Sequence, residues 1–168
     1  MTIKTILVPT DFSEPSAAAL TYAKQLADAF RSSIHLLYVT QDPAAQSWAE
    51  EGYPAALSEM LGQLKLQAHR NLAQALPAAD RKKYRAKLVV AVGVPFSRIL
   101  EYAKRNSVDL IVMGTHGRGA LARAILGSVT ERVVRFAPCP VLAVRAQERQ
   151  SRGRRRPGSR PTSRRISG

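Results

Sequence analysis

The stretch Met113–Ser128, MGTHGRGALARAILGS, sets three glycines at fixed points behind an apolar run, VDLIV. Gly114 and Gly117 follow this run directly, and Gly127 stands just before Ser128. Glycine permits positive φ and lets another group approach the backbone closely. A bend at the first two glycines would turn successive amide N–H groups inward, and a concave run of such donors binds anions. The stretch therefore predicts an anion site at the end of a strand.

The segment SVTERVVRFAP, Ser128–Pro138, predicts a helix that begins where the glycines end. Ser128 and Glu131 have the spacing of a capping box, with the serine at the N-cap and the glutamate at N3. The first turn of a helix has unpaired N–H groups and the positive end of the helix dipole, so a phosphate fits there. A turn and a cap are each ordinary alone, but together at one edge of a sheet they favour a phosphate site. The P-loop and the dinucleotide-binding fingerprint are both absent.

Five short apolar runs alternate with helical patterns along the chain. The predicted strands are Ile3–Pro9, Ser33–Val39, Tyr84–Gly93, Val108–Gly114 and Pro140–Ala146. The predicted helices are Ala17–Phe30, Leu57–Leu76, Pro95–Asn106 and Ser128–Pro138, with a loop over 40–53. This alternation predicts an α/β fold, a Rossmann-like open sandwich with a five-stranded parallel sheet and helices on both faces. Ligands of such sheets lie outside the carboxyl ends of the strands.

Two of these helices have apolar side chains at helical spacing. Asp11 and Ser13 are candidate N-caps for the first helix, and Pro15 fits its first turn. The predicted buried face of this helix is made of Leu20, Ala23, Leu26, Ala27 and Phe30. The predicted buried face of the long second helix, which ends near Pro77, is made of Leu57, Met60, Leu61, Leu64, Ala68, Leu72 and Leu76.

The length and composition indicate one globular domain. The chain has 168 residues, 45% of them hydrophobic, and its single cysteine, Cys139, excludes an internal disulfide. We find no targeting segment and no apolar run long enough for a membrane helix, so we expect a cytoplasmic protein that binds no membrane. The net charge is +14, and the last 22 residues supply half of it through eight arginines and one glutamate.

This charge asymmetry divides the chain into a domain over 1–146 and a basic tail over 147–168. The tail has almost no apolar content, so we expect it to be disordered. It is either a solvated extension with no specific role or a non-specific binder of nucleic acid or another polyanion. Base stacking is not supported, because no aromatic residue stands among the arginines. The run RRIS, Arg164–Ser167, is a weak match to a basic phosphorylation site.

The glycines and the serine, ordered Gly114-x2-Gly117-x9-Gly127-Ser128, resemble the ATP-binding motif of the universal stress protein family. The opening ILVPTDFSEPSAAAL resembles the family's first strand and loop, and DLIVMGTHGRG and PCPVLAVR resemble its fourth and fifth segments. The similarity covers roughly residues 1–146. It implies a five-stranded parallel sandwich, a homodimer paired through the last strand, here Pro140–Ala146, and membership of the branch that binds ATP.

The resemblance also implies a site for ATP, with Mg²⁺ or Mn²⁺ bound through its phosphates. Asp11 matches the acidic residue that contacts ribose and adenine, although capping the first helix is its alternative role. Arg118 would add charge to the phosphates unless it points to solvent. The residues that would line the nucleoside are Pro9, Thr10, Val39 and Met113. The residues that would hold the phosphates by N–H and hydroxyl groups are Gly114, Gly117, Gly127, Ser128, Val129 and Thr130.

The sequence predicts no catalytic and no metal-binding residue. His116 is best explained by the spacing of the glycines, and His35 and His69 have no partners at a metal-ligand spacing. Cys139 precedes Pro140 at the start of a strand and is expected in the core. A Walker-type lysine, a clear general base and an acidic cluster beside the glycines are all absent.

The expected function is that of a dimeric, nucleotide-dependent regulatory module in a stress response. Two alternatives stay open. One is a dimeric protein-interaction module whose nucleotide loop stays empty. The other is a weak ATPase, or an enzyme that phosphorylates itself at Ser128 or Thr130.

Overall fold

The computed structural model describes residues 2–40, 54–115 and 126–146. The predicted loop over 41–53 and the predicted tail over 147–168 lie outside these ranges. The elements follow one another as β1 (Thr5–Thr10), α1 (Glu14–Phe30), β2 (Ser33–Thr40), α2 (Pro54–Ala75), α3 (Ala78–Lys83), β3 (Lys87–Val92), α4 (Pro95–Arg105), β4 (Leu110–Gly114), α5 (Ser128–Phe136) and β5 (Val141–Val144).

The five strands form one parallel sheet in the order β3-β2-β1-β4-β5, which confirms the predicted fold class. The chain starts in the central strand β1, moves outward through β2 and β3, and returns to the other side of β1 as β4. The register of this central pair places Ile6 opposite Leu110 and Leu7 opposite Ile111. The strand order therefore reverses between β1 and β4, and ligands of open α/β sheets bind outside the carboxyl ends of strands at such a point.

The sheet is covered on both faces, which explains why its strands are continuously apolar. Ile6 and Val8 face a core that α1 and α2 complete, with Ala23 and Leu72 fully buried in it. Leu7, between them on the same strand, faces the second core, which is completed by α4 and α5. Buried members of this second core include Leu37, Ile99, Ile111 and Val133.

Helix α1 begins at a serine cap and buries most of its predicted face. The Ser13 hydroxyl accepts a hydrogen bond from the Ser16 N–H at 3.4 Å, and Pro15 lies in the first turn. The cap is therefore Ser13 and not Asp11, the other candidate. Of the predicted buried face, only Phe30 is exposed, with 45% of its surface accessible. This residue ends the helix at the amino-terminal edge of the sheet.

Helix α2 buries the carboxyl-terminal part of its predicted apolar face, and two residues nearer its start are exposed. Ala68, Leu72 and Leu76 are buried, whereas Met60 and Leu64 are 53% and 37% exposed. The buried residues are those that reach the sheet, because α2 contacts β2 and β3 near its carboxyl end. A periodic apolar pattern cannot show how far along a helix the contact with the sheet extends.

The short helix α3 was not predicted. It has six residues, none of them buried, so it has no apolar periodicity to detect. It is held against α1 by the ion pair of Lys24 Nζ with Asp80 Oδ2 at 2.6 Å. No helix of the described ranges is both long and apolar enough to cross a membrane.

Replacing Gly62 with alanine is expected to raise the free energy of unfolding by about 0.5–1 kcal/mol. Gly62 lies exposed inside α2, and a Cβ built on it meets no other atom within 4 Å. Alanine therefore gains helix propensity without a steric cost. Urea denaturation of both proteins, with an unchanged slope, measures the difference. A lower midpoint for the variant would contradict a continuous helix through this position.

Candidate functional site

The two ends of the glycine motif meet at the carboxyl edge of β4. The Gly127 N–H donates to the Thr115 carbonyl oxygen at 2.7 Å, and the Thr130 hydroxyl donates to the Gly114 carbonyl oxygen at 2.9 Å. The second bond is buried, and Thr130 is only 4% exposed. The start of α5 is thus tied to the end of β4. Gly117 and Arg118, which lie between these points in the chain, are outside the described residues.

Helix α5 begins one residue earlier than the predicted capping box requires. Gly127 is the N-cap, because its carbonyl oxygen accepts the first intrahelical bond from the Glu131 N–H at 2.9 Å. Ser128 is therefore the first helical residue, and the predicted capping box is wrong. No side chain of the described residues caps this helix. The N–H groups of the first turn therefore donate to no capping side chain of the described residues. The Ser128 hydroxyl beside them is exposed.

The backbone of Gly127 does not itself require a glycine. Its φ of −72° and ψ of 152° form an extended conformation that any L-residue adopts. A missing side chain at a helix N-terminus still leaves room for a group that approaches the backbone closely. Backbone strain therefore does not explain why residue 127 is a glycine.

Gly114 has a different explanation. It is buried at the end of β4, and a Cβ built on it would lie 2.8 Å from the Pro15 carbonyl carbon and 2.9 Å from the Pro15 carbonyl oxygen. The first turn of α1 therefore packs directly on this glycine. Close packing of α1 against β4 is sufficient to explain the glycine here, whether or not a ligand also contacts it.

The loop after β1 fixes the Asp11 side chain at the carboxyl edge of the sheet. The Asp11 carboxylate accepts hydrogen bonds from the Ser13 N–H at 3.1 Å and from the Ser13 hydroxyl at 2.5 Å. Thr10 supports the same turn, since its Oγ1 accepts from the Phe12 N–H at 3.1 Å and lies 3.1 Å from the Ser16 hydroxyl. Asp11 is therefore held in a defined orientation at the carboxyl edge of β1, the strand next to β4.

Phe12 is a feature of this loop that the sequence did not indicate. Its φ is 64°, a left-handed conformation that is uncommon for a bulky residue. Its ring packs on that of Tyr38 with centroids 4.9 Å apart, which joins the loop after β1 to the end of β2. A bulky side chain gives no sequence signal for positive φ, so only the structure could show this turn.

The apolar candidates line the same edge of the sheet. Pro9 is buried near the end of β1, and Met113, near the end of β4, is only 5% exposed. Val39, near the end of β2, is half-buried. Met113 and Val39 both pack in the second core, on the face covered by α4 and α5. The structure thus places these three residues near the carboxyl ends of three adjacent strands.

Two other residues weighed from the sequence have structural roles in the described part of the chain. Cys139 is half-buried against the second core, and burial raises the pKa of its thiol above the usual value, with the Asp109 charge adding to the effect. It is therefore a neutral thiol at neutral pH. His35 is buried, and its Nδ1 lies 3.1 Å from the Tyr102 hydroxyl. No group of three or more potential metal ligands occurs within the described ranges.

Comparison with known proteins identifies the family. A sequence model of the universal stress protein family matches residues 2–145. The universal stress protein MJ0531 of Methanocaldococcus jannaschii is 34% identical over 147 residues, which cover 88% of this chain and 85% of that protein. The solved structure of universal stress protein UspA from Lactobacillus plantarum superposes with a TM-score of 0.74 at 31% identity, covering 86% of this chain and 99% of that one.

A second solved structure, that of the hypothetical protein MJ0577, has a TM-score of 0.72 at 30% identity and covers 88% of this chain and 99% of its own. The match in sequence extends over nearly all of the predicted domain, and the match in structure reproduces its parallel sheet and flanking helices. The chain belongs to the universal stress protein family.

Proposed function

We propose that this chain binds ATP at the carboxyl edge of the sheet, between β1 and β4, and acts as a dimeric, nucleotide-dependent regulatory module of a cytoplasmic stress response. The observation that carries the proposal is that the first turn of α1, which follows the Asp11 loop, and the start of α5 both contact the end of β4. This is the point where the strand order reverses, and it is the place where ligands of such sheets bind.

The phosphates are proposed to bind at the start of α5. The N–H groups of Ser128, Val129 and Thr130 are the first-turn donors, and the side-chain cap that would occupy them is absent from the described residues. Ser128 adds an exposed hydroxyl. The Thr130 hydroxyl already donates to Gly114, so its contribution is reduced to its N–H. Gly114, Gly117, Gly127 and Arg118 complete the proposed phosphate contacts.

The nucleoside is proposed to lie over the ends of β1, β2 and β4. Asp11, oriented by Ser13, would accept hydrogen bonds from the ribose hydroxyls. Pro9, Thr10, Val39 and Met113 would surround the base. Mg²⁺ or Mn²⁺ would be carried by the phosphates. A universal stress protein that shares this fold, with a TM-score of 0.62 at 23% identity, was solved in complex with cAMP, so the fold accommodates an adenine nucleotide.

A binding role is favoured over an enzymatic one. Hydrolysis needs an oriented water and stabilised charge in the transition state. Among the described residues proposed to contact the nucleotide, Asp11 is the one with a carboxylate, and that group accepts two hydrogen bonds from Ser13. Phosphate release from ATP should therefore not exceed that of a Gly127→Glu control. Clear turnover above the control would favour the weak ATPase or self-phosphorylating enzyme instead.

The test of the proposal is calorimetric titration of Mg·ATP into the folded, nucleotide-free protein. We expect saturable binding of one nucleotide per chain, together with a rise in melting temperature, because a ligand that binds only the native state stabilises it. Absence of binding would refute the proposal and favour the alternative, a protein-interaction module with an empty loop.

The proposed dimer pairs through β5. This strand lies at one edge of the sheet, and an open strand edge is a template for pairing with another chain. Exposed apolar side chains lie on both faces near this edge. Leu142 of β5, on the same face as Val144 and α1, is 38% exposed, and Val134 and Phe136 of α5, which packs on the other face, are 50% and 60% exposed. A second copy paired through β5 would cover the open edge and the Leu142 side chain.

Replacing Leu142 with lysine is expected to convert the dimer into a monomer. A charge placed on an edge strand opposes pairing, and two such charges would face each other across a symmetric interface. Light scattering after size-exclusion chromatography measures the mass. The matched control is Leu66→Lys, which adds the same charge on α2 at a site that is 50% exposed. A dimer that survives Leu142→Lys would exclude this interface.

A further inference from the structure

A second concave surface lies at the opposite, amino-terminal edge of the sheet. It is a cavity of about 530 Å³ formed by the starts of β1, β2 and β3, the end of α1 and the turn after α4. Its charged lining consists of Lys4, Arg31, Arg85 and Lys87, with His35 beside them. The proposed ATP site lies at the carboxyl ends of the same strands, so the two are separated by the length of the sheet.

The four cations of this cavity are not neutralised by the fold. None of them forms an ion pair with a residue in the described ranges, and no carboxylate lines the cavity. The Asp109 carboxylate lies beside the start of β1, where its Oδ2 accepts hydrogen bonds from the N–H groups of Lys4 and Thr5 at 2.8 and 2.9 Å, and it is paired with none of the four cations. Four like charges around one concavity repel one another, which a bound anion would relieve.

The two arginines are fixed beside each other although they are far apart in sequence. Arg31 follows α1 with a φ of 56°, and Arg85 precedes β3 with a φ of 46°. The Arg85 guanidinium donates from Nη2 to the Arg31 carbonyl oxygen at 2.8 Å. Both residues thus occupy left-handed positions, where glycine is the favoured residue, and both bring a guanidinium that suits bidentate contact with phosphate.

His35 adds a neutral polar group to this basic lining. It is only 5% exposed, and its Nδ1 is 3.1 Å from the Tyr102 hydroxyl of α4. Burial, and then the neighbouring charge of Lys87, lowers the pKa of His35 below its usual value. The ring is therefore uncharged at neutral pH and does not add to the repulsion.

We propose that this amino-edge cavity binds a small anion that carries two or three phosphate groups. The concavity is open to solvent and its four cations are exposed, so it suits a charged, hydrated ligand better than an apolar one. The cations are grouped around one concavity and do not form an extended track, which favours a compact polyphosphate over a nucleic acid strand. The site is separate from the proposed ATP site and does not depend on it.

The test is an NMR titration of the full-length protein with inorganic tripolyphosphate at physiological ionic strength. Backbone amide shifts locate the binding, so contacts with the arginine-rich tail are distinguished from those in the cavity. We expect saturable shifts at Thr5, Ser33 and Lys87, at the amino edge. These shifts should persist in Gly127→Glu, which places a carboxylate at the opposite edge.

The decisive variant is Arg31→Gly combined with Arg85→Gly. Glycine is favoured at both positive-φ positions, so the fold should be retained while two cations are removed. We expect the affinity at the amino edge to fall by at least about tenfold, since hydrogen bonds to charged groups are the stronger ones. The charge-matched control, Lys65→Gln with Arg70→Gln, changes exposed residues of α2 outside the cavity and should leave the affinity unchanged.

Three results would overturn the proposal. The first is the absence of saturable shifts at the amino edge of the wild-type protein. The second is equal affinity in the double glycine variant and in the α2 control. The third is loss of the amino-edge shifts in Gly127→Glu, which would show that they are transmitted from the carboxyl edge.

Discussion

Replacing Gly114 with alanine is expected to lower the free energy of unfolding by about 2–3 kcal/mol. The added Cβ would lie 2.8 Å from the carbonyl carbon of Pro15, a backbone atom that no rotamer change can move. Relief requires the first turn of α1 to separate from β4.

Urea denaturation of Gly114→Ala measures this loss, and Gly62→Ala is its matched control. Both variants add one methyl group to a glycine, but the Cβ at position 62 meets no atom within 4 Å. The two changes should therefore shift the midpoint in opposite directions. If Gly114→Ala proved as stable as the wild type, the close packing of α1 on β4 would be wrong.

The expected damage at Gly114 also determines which variants can test nucleotide binding. Loss of binding in Gly114→Ala would not distinguish a missing ligand contact from a displaced helix. The motif therefore contains glycines with different roles. Gly114 is required by packing between elements of the fold, whereas Gly127 has an ordinary backbone conformation and a helix N-terminus beside it.

The sheet was predictable from the sequence because its strands are buried on both faces. Ile6, Leu7 and Val8 alternate between two cores, so all three positions are apolar and the run stands out. That the loop after β1 and the loop after β4 lie at the same edge of the sheet was also predictable, since parallel strands carry their carboxyl ends to one edge. These inferences need only the order of elements and not the detailed packing.

The features that were missed depend on detail that local patterns do not contain. The predicted capping box was wrong by one residue, because the first helical hydrogen bond runs from the Glu131 N–H to the Gly127 carbonyl oxygen. The amino-edge cavity gave no signal, because Arg31 and Arg85 are 54 residues apart and each resembles an ordinary solvated charge. Only the paired left-handed turns bring the two together.

Replacing Gly127 with glutamate is expected to weaken Mg·ATP binding by at least about 100-fold while the protein remains folded. The new carboxylate would stand at the N-cap of α5, where the phosphates are proposed to bind, and would repel them. The backbone tolerates the change, because φ of −72° and ψ of 152° suit any L-residue. An acidic side chain at a helix N-terminus is itself favourable, so stability should not fall.

Gly127→Ala separates the steric part of this effect from the electrostatic part. It adds a Cβ without charge. Because alanine is a poorer N-cap than glycine, the free energy of unfolding should fall by no more than about 1 kcal/mol. If the phosphates approach the Gly127 backbone closely, calorimetry should show weaker binding for alanine and none for glutamate. Gly62→Ala, at an exposed position of α2, should bind Mg·ATP as the wild type does.

The order of affinities then decides what the glycine motif does in this chain. If all variants are folded and the affinity for Mg·ATP falls from the wild type to Gly127→Ala and again to Gly127→Glu, the phosphates lie at the start of α5. Equal affinities would mean that ATP binds elsewhere, since a carboxylate at the helix N-terminus cannot be neutral to an adjacent triphosphate. If Gly127→Glu abolished binding and Gly127→Ala left it unchanged, a phosphate would lie close enough to be repelled by the carboxylate but too far away to contact the Gly127 backbone.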